Sequence, residues 1–195
     1  MIRTITTTLL VMAFSFSALA AIKAPKTEKS HFLQMCEDEK TSAAARHTIN
    51  VIMKKIQGND CKSVDKKLSS EVKLNLSGER ITDLSPLSGL TSLVSLFLWG
   101  NQITDVSPLA GLTSLEILII FENKVTDVSS LAGLTSLRGL ALWDNQITNV
   151  KPLADLASLE YLELSKNPII NNETHCPTNQ KSYEVKLFCT DYLAK

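Results

Sequence analysis

Leu93-Val94-Ser95-Leu96-Phe97-Leu98-Trp99-Gly100-Asn101-Gln102-Ile103 decides how this chain folds, because the stretch comes back. Leu115 to Val125 repeats its pattern 22 residues on, and Leu137 to Ile147 repeats it after another 22. Leu159 to Ile169 opens a last, incomplete unit, and an earlier unit runs from Val72, with Glu71 in place of its first Leu. The second halves agree as closely: Thr82-Asp83-Leu84-Ser85-Pro86-Leu87, Thr104-Asp105-Val106-Ser107-Pro108-Leu109, Thr126-Asp127-Val128-Ser129-Ser130-Leu131 and Thr148-Asn149-Val150-Lys151-Pro152-Leu153. A single copy would be weak evidence; five in phase leave little room for chance.

The physics of one unit follows from its spacing. Leu96 and Leu98 are two apart, so both point to one side of a short strand. Ile103, Val106, Leu109, Leu112 and Leu115 follow at steps of three and four. A single coil cannot bury them alone; stacked neighbours share one continuous core, with parallel strands aligned on one side. Pro86, Pro108 and Pro152 fix φ on the opposite side and disfavour a full α-helix, so short 3₁₀ or irregular turns are expected there.

The pattern L-x-x-L-x-L-x-x-N-x-I/V at a fixed period resembles the leucine-rich-repeat family. The 22-residue length and the I-T-D-V-S-P-L-x-x-L-T-S-L half are similar to bacterial internalin-type repeats. The resemblance covers about half of the chain. It implies an α/β leucine-rich-repeat solenoid, a curved horseshoe with a parallel concave sheet of about five strands. It also implies that Asn101, Asn123, Asn145 and Asn167 sit inside the turn after each strand. An amide there can satisfy backbone donors and acceptors of adjacent coils. Glu79 holds the matching place in the first unit.

A solenoid exposes its core at both ends and needs caps. Thr41 to Gln57 reads as a helix, with Ile49, Ile52, Met53 and Ile56 on one face and Gly58 as its stop. Asp60 is placed to cap a second helix running to about Leu68. This lid before the repeats again resembles the internalin arrangement. The expected division is a signal peptide at 1–20, a leader and helical N-terminal cap at 21–71, repeats at 72–170 and a C-terminal cap at 171–195.

The first twenty residues carry the export pattern. Arg3 is followed by an apolar run from Leu9 to Phe16 and by Ala18-Leu19-Ala20, which predicts cleavage after Ala20. The run is too short for a membrane span, and no apolar tail follows the repeats, so no stable membrane insertion is expected. An exported chain with four cysteines, Cys36, Cys61, Cys176 and Cys189, suggests disulfides, with three connectivities open from the sequence. The solenoid selects among them. Its ends lie roughly 19 Å apart, and a disulfide needs Cα atoms within about 7 Å. Cys36–Cys61 and Cys176–Cys189 are therefore expected, one in each cap. The localisation that follows is periplasmic or extracellular, in a bacterium.

Charge narrows the partners. Residues 72–172 carry six Lys/Arg against ten Asp/Glu, so the repeats lack the basic stripe that nucleic acid needs. The residues flanking the buried leucines of each strand face the concave side. Phe97, Trp99, Ile117, Ile119, Phe121, Trp143 and Tyr161 make that face apolar, with Trp99, Phe121 and Trp143 in one row about 5 Å apart. Lys73, Asn75, Ser77, Glu163 and Ser165 give it polar ends, and Gly100, Glu122, Asp144 and Lys166 line one margin. An exposed apolar patch with a polar rim marks an interaction site, and Trp and Tyr are enriched at hot spots. The expected function is protein binding by a monomer, to an envelope or host surface protein. The alternatives are cross-strand packing alone, self-association through this face, carbohydrate stacking on a flat aromatic row, or a structural envelope role.

Nothing in the sequence assembles a catalytic constellation, so no enzyme, cofactor or metal is expected. His31 falls in the leader, His47 on the cap helix and His175 in the tail. Asp83, Asp105 and Asp127 form a row, but a hard cation needs six to eight oxygens, roughly, from a local loop. They read as turn residues bonding nearby backbone. Asn75-Leu76-Ser77 and Asn172-Glu173-Thr174 match the glycosylation sequon, which the bacterial character of the repeats makes irrelevant.

Overall fold

The structure is a computed structural model, and it describes residues 29–169. The expected signal segment, residues 171–195 and the Cys176–Cys189 pair lie outside the described residues. Five three-residue strands, β1 (Lys73–Asn75), β2 (Ser95–Phe97), β3 (Ile117–Ile119), β4 (Gly139–Ala141) and β5 (Tyr161–Glu163), form one parallel sheet in sequence order. Leu74, Leu96, Leu118, Leu140 and Leu162 stand in register across it. Short 3₁₀ turns run along the back at Ser85–Leu87, Ser107–Leu109, Ser129–Gly133 and Lys151–Leu153, where Pro stands early in three of the four. This is the expected solenoid.

Every inward position of the repeat is buried, from Leu76 and Ile81 through Leu112 and Leu134 to Leu164. Burying a Leu or Ile side chain contributes about 1.5–3 kcal/mol, and here each apolar face is closed by the coil on either side. The asparagines form a ladder between coils. The Oδ1 of Asn123 accepts from the Ile103 N–H at 3.0 Å, and its Nδ2 donates to the carbonyls of Leu98 (3.0 Å) and Ile120 (3.1 Å). Asn101, Asn145 and Asn167 repeat this arrangement. Each amide thus ties the turn of its own coil to the backbone of the preceding one.

The cap holds three helices. α1 (His31–Glu37) starts at Ser30, whose hydroxyl accepts from the Leu33 N–H. The sequence reading left this segment as leader; its signal is Phe32 and Cys36, one turn apart and both buried. α2 (Ala43–Ile56) starts at Ser42 and α3 (Cys61–Leu68) at Asp60, whose carboxylate accepts from the N–H groups of Lys62 and Ser63. The Asp60 carboxyl is held below its ordinary value, chiefly by the Ser63 N–H. Gly58 is not the left-handed residue that ends α2. Gln57 takes that conformation, at φ 54°, while a Cβ on Gly58 would fall 2.0 Å from Val64 Cγ2. Glycine is needed there for close approach, not for its dihedral freedom. Cys36 and Cys61 form the expected disulfide, with Cα atoms 5.8 Å apart, joining α1 to α3.

The cap is bonded to the first coil as a coil would be. Thr48 Oγ1 donates to the Asp83 carbonyl at 2.7 Å, and a His47 ring nitrogen meets the Glu79 carbonyl at 2.7 Å. Lys55 Nζ lies 2.7 Å from Glu79 Oε1 and holds that carboxyl below its ordinary value. Glu79 departs from the Asn pattern because its neighbour on this side is a helix carrying an ammonium, not another turn.

Candidate functional site

The concave face is built by alternation along each strand. Leu96 and Leu98 point in, so Ser95, Phe97 and Trp99 point out, and the same holds 22 residues later in each coil. Trp99 is 40%, Ile117 39% and Tyr161 41% exposed, and Phe97, Ile119, Phe121 and Trp143 are half-buried against one another. Gly139 and Ala141 sit on the same face between them, and Ala141 is buried. All seven residues picked out by sequence therefore share one surface.

The rings do more than line up. Trp99 and Phe121 have centroids 5.7 Å apart and planes 11° from parallel; Phe121 and Trp143 are 4.4 Å apart at 15°. The flat aromatic row expected from the spacing is instead a stack. Ring faces turn toward the neighbouring coils, and the interior faces of the row are occupied by other rings. Such pairs add about 0.5–1.5 kcal/mol beyond their area. Two lysines extend the pattern: Lys166 Nζ lies 5.1 Å from the Trp143 centroid and Lys73 Nζ 5.3 Å from that of Phe97. Both distances fall in the range of cation–π attraction. The 22-residue spacing predicts the row but not the ring tilt or these ammonium caps.

The margin beside the row has its own regularity. Gly78, Gly100, Glu122, Asp144 and Lys166 recur at 22 and all have φ between 52° and 71°. The turn after each strand requires the left-handed region. Two glycines meet it freely, and three other residues meet it at a strain of about 1–2 kcal/mol each. The glycines at the first two positions were the available signal. At the first strand the edge is closed locally. Ser77 N–H donates to Asn75 Oδ1 at 3.0 Å, and the matching Ser165 N–H of the last coil donates to Glu163 Oε1 at 3.0 Å.

The acidic row is turn chemistry. Asp83, Asp105 and Asp127 each accept the N–H of the serine two residues on, at 2.8 Å, and Asn149 does the same for Lys151 at 3.0 Å. Among the described residues no three His, Cys, Asp or Glu gather as a metal site, and no helix is long and apolar enough to cross a membrane. His31 and His47 lie on α1 and α2, away from the concave face.

A solenoid of stacked strand-and-turn coils with an amide ladder defines a leucine-rich-repeat protein, and residues 72–111 and 91–133 match the Leucine Rich repeats (2 copies) family model. The solved structures it is similar to are bacterial leucine-rich-repeat proteins, internalins among them. An internalin (inlF) from Listeria monocytogenes superposes with a TM-score of 0.59 at 26% identity, over 80% of this chain and 52% of that one. The functional domain of InlJ from Listeria monocytogenes, which includes a cysteine ladder, gives 0.52 at 26% identity over 59% of this chain and 25% of its own. A leucine-rich-repeat protein of Leptospira interrogans gives 0.51 at 33% identity, over 55% and 28%. This chain thus spans about half or less of the length of each. Among curated proteins none matches by sequence.

Proposed function

We propose that this chain is an exported protein-binding module that takes its partner on the concave face. The observation that carries the reading is the contiguous surface of Trp99, Phe121 and Trp143 with Ile117 and Tyr161 exposed beside them. Cross-strand packing alone does not need apolar groups this exposed at the middle of a sheet, and a polar rim surrounds them. The internalin-like family is one of non-enzymatic binding scaffolds, which agrees with this use of the face. Export rests on the pattern of residues 1–20 and accounts for the Cys36–Cys61 disulfide. The partner class is an envelope or host surface protein.

A glycan is the weaker reading. A sugar stacks on an exposed ring face, and the stack turns most ring faces inward along the row.

Affinity capture from envelope and host-surface extracts tests the proposal. The bait is compared with one carrying Trp99→Ala, Phe121→Ala and Trp143→Ala, matched for folding by circular dichroism. A protein held by the native bait and lost with the variant is the expected result. Equal capture by both, or none by either, overturns the concave-face reading.

A further inference from the structure

The aromatic row has two ends, and they are not alike. At Trp143 the outer end is covered: the Lys166 ammonium lies 5.1 Å from the ring centroid. Phe97, beside the row, carries Lys73 at 5.3 Å. Trp99 closes the other end. It stacks on Phe121 on one side, and the next residue of the row on the other side is Ser77, which has no ring. Among the described residues no cation is placed over Trp99, although it is the most exposed ring of the row.

The surroundings carry negative potential. A Cβ on Gly100 would lie 4.0 Å from Glu122 Oε2, so that carboxylate sits beside the residue following Trp99. Glu122 belongs to none of the ion pairs among the described residues, whereas Asp144, its counterpart one coil on, has Lys166 at 3.7 Å. An electron-rich ring face beside a carboxylate that makes no ion pair favours an incoming cation.

We propose that the Trp99 end of the row is a subsite for a basic side chain of the protein partner, an arginine or lysine that completes the stack as Lys166 completes it at Trp143. This rests on the concave-face reading and specifies it: the ligand is an apolar segment carrying a cation at the end nearest coil one. The guanidinium or ammonium takes the Trp99 face, and Glu122 neutralises it.

The test follows the indole N–H resonances of the full chain by NMR, assigned with Trp99→Phe and Trp143→Phe. The probes are acetyl-Leu-Arg-Leu-amide, the neutral isostere acetyl-Leu-citrulline-Leu-amide, and a tetramer of N-acetylglucosamine. The arginine peptide is expected to shift the Trp99 resonance saturably and to bind at least about threefold more tightly than the citrulline peptide. Glu122→Lys, which keeps the ring, is expected to remove that difference. Equal binding of the two peptides, no shift at Trp99, a shift confined to Trp143, or preference for the oligosaccharide overturns the inference. The capture experiment judges the concave face separately, because it reads the whole row rather than this end.

Discussion

Asn101, Asn123, Asn145 and Asn167 run along the inside of the turns, and Trp99, Phe121 and Trp143 run along the outside two residues earlier in each coil. Both rows keep the 22-residue period, but they lapse differently. The inner row fails only at Glu79, where the neighbour is a helix and Lys55 replaces a backbone partner. The outer row gives way at both ends, to Ser77 and Ser165. The inner amide must serve two backbones at once, and no other residue type offers its donors and acceptor in that space. The outer residue faces solvent, so the fold leaves it free. Rings at three successive free positions are therefore the part of the repeat that the fold itself does not explain.

Substitutions in the two rows should separate accordingly. Asn123→Ala leaves the Ile103 N–H without its acceptor and takes one of two asparagine donors from each of the Leu98 and Ile120 carbonyls, which keep Asn101 and Asn145. With about 1–3 kcal/mol for that unpaired N–H and about 0.5–1.5 kcal/mol for each bond the carbonyls lose, urea unfolding should report a loss of about 3 kcal/mol. A loss below about 1 kcal/mol would break the contrast. Next comes the cap. Cys36→Ser with Cys61→Ser opens a loop of sequence separation 25, and about 3 kcal/mol should be lost, matching the native protein under reductant.

Gly100→Val forces a β-branched residue to φ 66° and should cost about 1–2 kcal/mol. Trp99→Leu, at the end of the outer row, keeps an apolar side chain and loses one stacked pair, so it should cost only about 1 kcal/mol of stability while reducing partner capture. A stability cost equal to that of Asn123→Ala would make the ring a structural element after all. The smallest effect belongs to Glu79→Gln, which removes the exposed ion pair with Lys55 and should cost less than about 1 kcal/mol. Because the folded pKa of Glu79 lies below its ordinary 4.5, that contribution is fully present above the ordinary value. It is lost as pH falls through the lowered one. The two unfolding curves should therefore converge in acid.

How much of this was legible depends on what a residue type can signal. The coils, their strands and the Cys36–Cys61 pairing follow from periodicity and from the length of the stack, because each inward leucine has only one place to go. α1 was missed because seven residues carry barely two turns of pattern, and Ser30 before Phe32 and Cys36 is a faint mark. Gly58 marks the end of α2, but a glycine after a helix reads as a stop whether it supplies φ or space, so its close approach to Val64 had no separate signal. The left-handed turns at Glu122, Asp144 and Lys166 had no compositional mark of their own. The concave residues were found by alternation alone, but their stacking and the lysines at 5.1 and 5.3 Å depend on side-chain torsions that spacing does not set.

Site-specific photocrosslinking is the most direct test of the central claim. A photoreactive phenylalanine analogue replaces Phe121 in one variant and Ser136, an exposed residue of the turn that leads into β4, in another. Each is irradiated in the extract that supplied the captured protein. The account predicts a covalent adduct with that protein from position 121 and none from position 136. Adducts from position 136 with none from 121 would place the partner off the concave face and contradict it.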